Sequence, residues 1–148
     1  MRCCRLRTSL LVLSLLAWGA PTGEAKEAPT LKINAPAPEL DLVGVDGKTY
    51  RLDDFADAKI LVVIFTANHC PTAQAYEQRI IRLHTDYRDR GVALVAVSSN
   101  DPLAVRLDEL RYTDVGDSFE DMQLHAKRRD FQFPYLYDGD TQRVATAY

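Results

Sequence analysis

Cys70 is the residue around which chemistry can be built. It follows an apolar run, Ile60–Phe65, and a short polar turn, Thr66–His69. Pro71 and a helical pattern come directly after it. A thiol at the start of a helix faces the positive end of the dipole and unpaired backbone N–H groups, which favour the thiolate. Proline suits the first helical position, where a missing N–H costs nothing. The neighbouring candidates are His69, a charge partner for the thiolate, and Asn68, a turn residue. Thr66, Ala67, Pro71 and Thr72 complete the turn and the helix start.

The elements that must position this thiol are legible on both sides. Glu39–Val43 and Thr49–Leu52 flank Asp46-Gly47, a two-residue hairpin signal. Asp53–Ala58 reads as a loop or one helical turn. Ile60–Phe65 is uniformly apolar, the pattern of a central strand buried on both faces. Tyr76, Ile80, Leu83 and Tyr87 then recur at helical spacing and predict one buried helix face. Glu77, near the helix start, suits the dipole. Gly91 marks the C-terminal cap. Val92–Val97 is a second buried strand, so strands 60–65 and 92–97 form a parallel βαβ unit.

Leu103, Leu107 and Leu110 sit at helical spacing in a short charged segment. Asp117 and Glu120 occupy capping-box positions for a helix running to about Arg129, with Phe119, Met122 and Ala126 inward. Lys127, Arg128 and Arg129 end that helix, where cations are favourable. Phe133–Tyr137 reads as a short aromatic strand, and Thr141–Tyr148 starts another helix.

Arg2, Arg5 and Arg7 precede the apolar segment Leu10–Ala17, and Gly23-Glu24-Ala25 precedes Lys26. This is the pattern of a signal peptide over 1–25, which predicts export to the periplasm or the extracellular space. The apolar segment is too short to span a bilayer. Cys3 and Cys4 leave with the signal, so Cys70 remains as a lone thiol with no internal disulfide partner. Residues 26–38 form a Pro- and Ala-rich extended lead-in, and 39–148 the folded domain. The chain of 148 residues is 47% apolar with net charge -3, which fits one globular domain. A mildly acidic balance gives no footprint for nucleic acid.

Phe65-Thr66-Ala67-Asn68-His69-Cys70-Pro71 with Ala75-Tyr76-Glu77 resembles the active-site stretch of a bacterial subgroup of thioredoxin-like redoxins, which carries a Cys-Asn-His-Cys-Pro turn. Ser99-Asn100-Asp101-Pro102, Asp117-Ser118-Phe119-Glu120 and Phe133-Pro134-Tyr135-Leu136-Tyr137-Asp138 resemble later signatures of that group. The chain is thereby similar, over about residues 31–148, to the alkyl hydroperoxide reductase/thiol-specific antioxidant family. The resemblance implies an α/β thioredoxin-like fold with an N-terminal hairpin and a central βαβ unit. It also implies a C-terminal ββα part with a cis-proline loop, which is missing after Tyr148.

The resemblance further implies a thiol-based oxidoreductase or antioxidant. Its substrate would be a peroxide or a disulfide, its electron donor an external thiol protein or small thiol, and it would need no organic cofactor. Ala67 stands where dithiol members have their first cysteine, so Cys70 matches the second, resolving position. On a peroxiredoxin alignment Cys70-Pro71-Thr72 matches a single peroxidatic cysteine, and Ala67 stands where a hydroxyl residue is expected. That family's activating arginine has no assignable counterpart here. The alternative is a catalytically degenerate domain serving as a binding or structural module of a longer exported protein. No metal centre is expected, since His69 and Cys70 are adjacent while His84 and His125 lie on separate helices.

Overall fold

The computed structural model describes residues 30–104, 108 and 115–148. The expected signal peptide and the leucines at 107 and 110 lie outside the described residues. Residues 30–38 of the lead-in carry no strand or helix, and Tyr148 Oη ties them down by donating to the Pro38 carbonyl at 3.0 Å.

The hairpin comprises β1 (Asp41–Gly44) and β2 (Thr49–Arg51). Gly47 takes the positive φ of 82° that the turn requires. The connection spans Val45–Lys48 rather than two residues, because Gly44 N bonds the Lys48 carbonyl at 2.7 Å. The segment after β2 is a 3₁₀ turn, Leu52–Phe55. Then come β3 (Ile60–Thr66), α1 (Pro71–Tyr87), β4 (Val92–Ser98), α2 (Phe119–Arg129), β5 (Tyr135–Tyr137) and α3 (Arg143–Ala147). The sheet order is β2-β1-β5-β4-β3. β4 runs parallel to both β3 and β5, while β1 pairs antiparallel with β2 and β5.

The expectation that Ile60–Phe65 forms a central strand is corrected. Among the described residues β3 pairs only with β4, so it lies at the sheet edge and none of its residues is buried. β4 is the central strand. Val95 and Val97 face one layer with Leu40, Leu42, Leu136 and Val144, while Leu94 and Ala96 face the other with Met122, Ala126 and Tyr135. Alternation along the buried residues of β4, Leu94–Ser98, therefore feeds both cores.

The helix face is corrected in the same way. Tyr76 is 50% exposed, and Leu83 and Tyr87 are exposed as well, so they form no buried stripe. The inward positions are Glu77, Ile80, Ile81 and His84, the i, i+3, i+4, i+7 face of α1. Two of those four are polar, and for that reason apolar periodicity misplaced the face. With β3 at the edge, the Tyr76 side of α1 overhangs the sheet.

Glu77 shows what a polar residue does on that face. It is 4% exposed and reaches α2. His125 Nε2 lies 2.5 Å from Glu77 Oε1, and Arg129 Nε lies 2.9 Å from Oε2. His125 and Arg129 are four residues apart, so one face of α2 presents both to α1. A buried carboxylate needs such partners, and its role here is docking rather than dipole compensation. Removing one partner from a buried ionic cluster leaves uncompensated charge. Glu77→Ala is therefore expected to lose about 3–5 kcal/mol in urea unfolding.

His84 packs edge-on against Phe133, with ring centroids 5.7 Å apart. Burial, helped by the nearby Arg88 charge, holds its pKa below the ordinary value. The unfolded chain takes up this proton near pH 6.5, while the folded one resists it. This contribution to stability is full above about pH 6.5 and is lost as pH falls through the lower folded pKa. Unfolding free energy measured from about pH 7 to pH 5 should decline less steeply in His84→Gln than in the parent.

Candidate functional site

The parallel register sets the site. Ile60↔Val92 through Thr66↔Ser98 pair in step, and Ser98 pairs with Tyr137. The three parallel strands end together, and the segments that follow β3 and β4 leave side by side. Ligand crevices of open parallel sheets form at this end.

Cys70 is the N-cap of α1, half-buried and free, with extended backbone (φ -74°, ψ 116°). Its carbonyl accepts from Gln74 N at 3.0 Å, which starts the helix, and Pro71 sits at N1. No acidic residue stands in the first turn. The sulfur therefore meets the helix dipole without an opposing carboxylate on its own helix. A cavity of about 600 Å³ opens against it, lined by Thr66, Ala67, Cys70, Thr72, Tyr76 and Asn100 among others. Thr66 belongs to the end of β3 rather than to the turn. Tyr76, expected in the core, lines this cavity instead.

Asn68 and His69 do not line the cavity. Asn68 is 1% exposed and fully engaged. Its Nδ2 donates to the Gly116 carbonyl at 3.0 Å, its Oδ1 accepts from Tyr135 Oη at 2.8 Å, and its carbonyl accepts from Gln74 Nε2 at 2.6 Å. Burial pushes the Tyr135 hydroxyl well above its ordinary range, so it stays a neutral donor.

The centre of the arrangement is Asp117, which the sequence reading placed in a capping box. The structure corrects that role. Ser118 caps α2, accepting from Asp121 N at 3.1 Å, and Asp117 turns the other way. Its Oδ1 accepts from Asn68 N at 2.8 Å and His69 N at 3.3 Å. Its Oδ2 contacts His69 Nδ1 and accepts from Asn100 Nδ2 at 2.9 Å. An ionised carboxylate can only accept, so Nδ1 carries the proton and Nε2 is the free ring nitrogen.

Cys70 thus sits in a turn held from outside by four residues with no chemical signal of their own in the sequence: Asp117, Asn100, Tyr135 and Gln74. Three of them lie within or beside sequence words already noted, Ser99–Pro102, Asp117–Glu120 and Phe133–Asp138. Among the described residues no group of three or more His, Cys, Asp or Glu side chains is placed to hold a metal ion. No helix among them is long and apolar enough to cross a membrane.

A thiol at the N-cap position of a helix, at the end of parallel strands, is the arrangement of a thiol-dependent redoxin. The chain belongs to the AhpC/TSA family, whose profile matches residues 33–148. Two solved structures are similar to the chain in sequence as well as in fold. An uncharacterised conserved protein of Geobacillus kaustophilus is 38% identical, with a TM-score of 0.66 over 83% of this chain and 59% of its own. A hypothetical protein of Sinorhizobium meliloti 1021 is 29% identical, with a TM-score of 0.69 over 81% of this chain and 60% of its own. The chain thus spans roughly three-fifths of the length of these structures. The peroxidoxin BcpB of Mycobacterium tuberculosis, 17% identical, shares the fold with a TM-score of 0.58 over 76% of this chain and 62% of its own. No curated protein matches the chain. The fold is α/β and thioredoxin-like, as the sequence implied.

The Tyr135–Asn68 bond carries a direct test. Tyr135→Phe leaves a buried amide oxygen without its donor, at a cost of about 1–3 kcal/mol. Denaturant unfolding of the variant should show that loss.

Proposed function

We propose that this chain is a thiol-based oxidoreductase in which Cys70 is the single redox centre. The observation that carries the reading is the place of the sulfur: the cap of α1, facing an open cavity, with no acid in the first helical turn. Membership of the AhpC/TSA family supports thiol redox chemistry in general. We assign the chain to the subgroup with a Cys-Asn-His-Cys-Pro turn, with Ala67 in place of the first cysteine. The domain occupies 39–148 behind a 1–25 signal and a 26–38 lead-in, and the protein is exported.

One sulfur completes a peroxide cycle. The Cys70 thiolate attacks a peroxide oxygen, the S–O bond forms, the O–O bond breaks and an alcohol or water leaves. One external thiol condenses with the sulfenic acid, releasing water and giving a mixed disulfide. A second external thiol then frees Cys70 and leaves as a disulfide. Attack on a substrate disulfide gives the same mixed disulfide directly. Backbone N–H groups of the first turn of α1 stabilise the thiolate, and Thr66 and Thr72 offer polar positions along the cavity.

Ala67 favours a second reading. It lines the same cavity as Cys70, where a dithiol relative would hold its attacking sulfur. On that reading the domain is a degenerate binding or structural module.

Alkylation of Cys70 across pH, followed by peroxide consumption with a small thiol donor, separates the two. The redox reading expects half-maximal alkylation below the free thiol value of about 8.5, and turnover that Cys70→Ser abolishes. A thiol titrating at or above that value with no turnover refutes it. Ala67→Cys is expected to add reduction of model disulfides, read with a disulfide substrate and a reductant.

A further inference from the structure

Ala67 lines the cavity beside Cys70 and offers no side-chain atom that could orient a peroxide. A thiolate attacks along the O–O axis, so a misaligned peroxide reacts slowly however reactive the sulfur. Four polar side chains line the cavity with Cys70: Thr66, Thr72, Ser99 and Asn100. Among the described residues, Asn100 alone of the four is held by a side-chain hydrogen bond. Its Nδ2 donates to Asp117 Oδ2 at 2.9 Å. A carboxylate only accepts, so the amide nitrogen faces Asp117 and Oδ1 takes the other branch of the amide. The 3.5 Å approach of Nδ2 to His69 Nδ1 brings together two donors of that same carboxylate. No described residue donates to Asn100 Oδ1, and it is not one of the buried atoms left without a partner. It is an accepting atom open to solvent, on a residue that lines the cavity.

The anchor also relates this side chain to the sulfur. Asp117 Oδ1 accepts from Asn68 N at 2.8 Å and from His69 N at 3.3 Å, in the turn that leads into Cys70. One wholly buried carboxylate thus grips both the amide of Asn100 and the turn that carries the thiol. Support of this kind, from behind the cavity, is what keeps two groups in a reacting geometry.

We propose that Asn100 is the substrate-positioning residue of this site: its Oδ1 accepts the peroxide O–H and holds the O–O bond toward the Cys70 sulfur, a task for which Ala67 has no hydroxyl. This rests on the reading of Cys70 as the redox centre and names the group that orients its peroxide. The thiolate electron pair attacks the oxygen whose proton Asn100 holds. The S–O bond forms, the O–O bond breaks, and the leaving alkoxide or hydroxide takes a proton from solvent. Sulfur is oxidised to the sulfenic acid and the peroxide is reduced to alcohol or water. Two external thiols then return the electron pair, releasing one water and one disulfide. Asn100 neither gains nor loses a proton.

A purely structural Asn100, one that only ties its segment to Asp117, behaves differently. Loss of the tie disturbs the sulfur toward every reagent alike, whereas loss of the acceptor slows peroxide alone. The full chain, Asn100→Leu, Asn100→Ala and Asn100→Ser would be compared in two rates at Cys70. One is sulfenic acid formation by hydrogen peroxide, trapped with dimedone. The other is alkylation by iodoacetamide, which carries no hydroxyl. In Asn100→Leu, close in shape but without the amide, the peroxide rate is expected to fall about tenfold or more while alkylation holds within about twofold. Asn100→Ser, shorter but still able to accept, should recover part of the loss.

A peroxide rate that is unchanged, or that falls only in step with alkylation, overturns the proposal. Should Asn100→Leu fail to fold, Asn100→Ala against Asn100→Ser decides on the same ratio of rates. A parent chain that is alkylated at Cys70 but forms no sulfenic acid removes the peroxidase reading, and Asn100 as its peroxide holder with it. A parent that forms sulfenic acid at a rate its Asn100 variants share removes the role of Asn100 alone.

Discussion

The parallel pairing of β3 with β4 is the constraint on which the rest depends. It runs for seven residue pairs and is continued by β5 on the other side. β4 is buried on both faces, so its side chains anchor two cores at once. Because the strands end in register, the Ala67–Cys70 turn and the Ser99–Asp101 segment must emerge together. The Asp117 carboxylate then ties one to the other. Gly139, after β5, lets that strand's end approach the second of these segments, since a Cβ there would stand 2.5 Å from the Asn100 carbonyl oxygen.

Much of the fold was legible. Gly91 ends the α1 region in the left-handed conformation, as its place after Arg90 implied. The βαβ unit and the order of the later elements follow from continuous apolar runs, helical spacing and helix-start and turn residues. Where the reading failed, the reasons are physical. An apolar run does not distinguish a central strand from an edge strand, because that depends on what pairs beside it. Apolar spacing points to Tyr76, Ile80, Leu83 and Tyr87 as the face of α1, and of these Ile80 alone turns inward. Here the inward face carries Glu77, buried in an ionic cluster, and His84, half-buried in an aromatic contact.

The site was legible in part for a related reason. Cys70 and its turn stand out locally, since a thiol, a proline and a helix start are neighbours in sequence. Asp117 does not stand out, because its partners lie 48 and 49 residues away and its local context imitates a helix cap. A capping signal and a long-range anchor use the same residue type, and only the fold decides which is made.

Both attachments of the cysteine-bearing helix come from one downstream stretch. Asp117 grips the turn before α1, and His125 with Arg129 grips Glu77 two turns further on. The thiol is therefore synthesised well ahead of everything that organises it. Until the chain as far as Arg129 has been made and packed, the N–H groups of Asn68 and His69 lack their acceptor, and Glu77 lacks its counter-charges. A nascent chain of this protein carries Cys70 on an untied turn, and the contacts that fix that turn arrive only with the closing of tertiary structure.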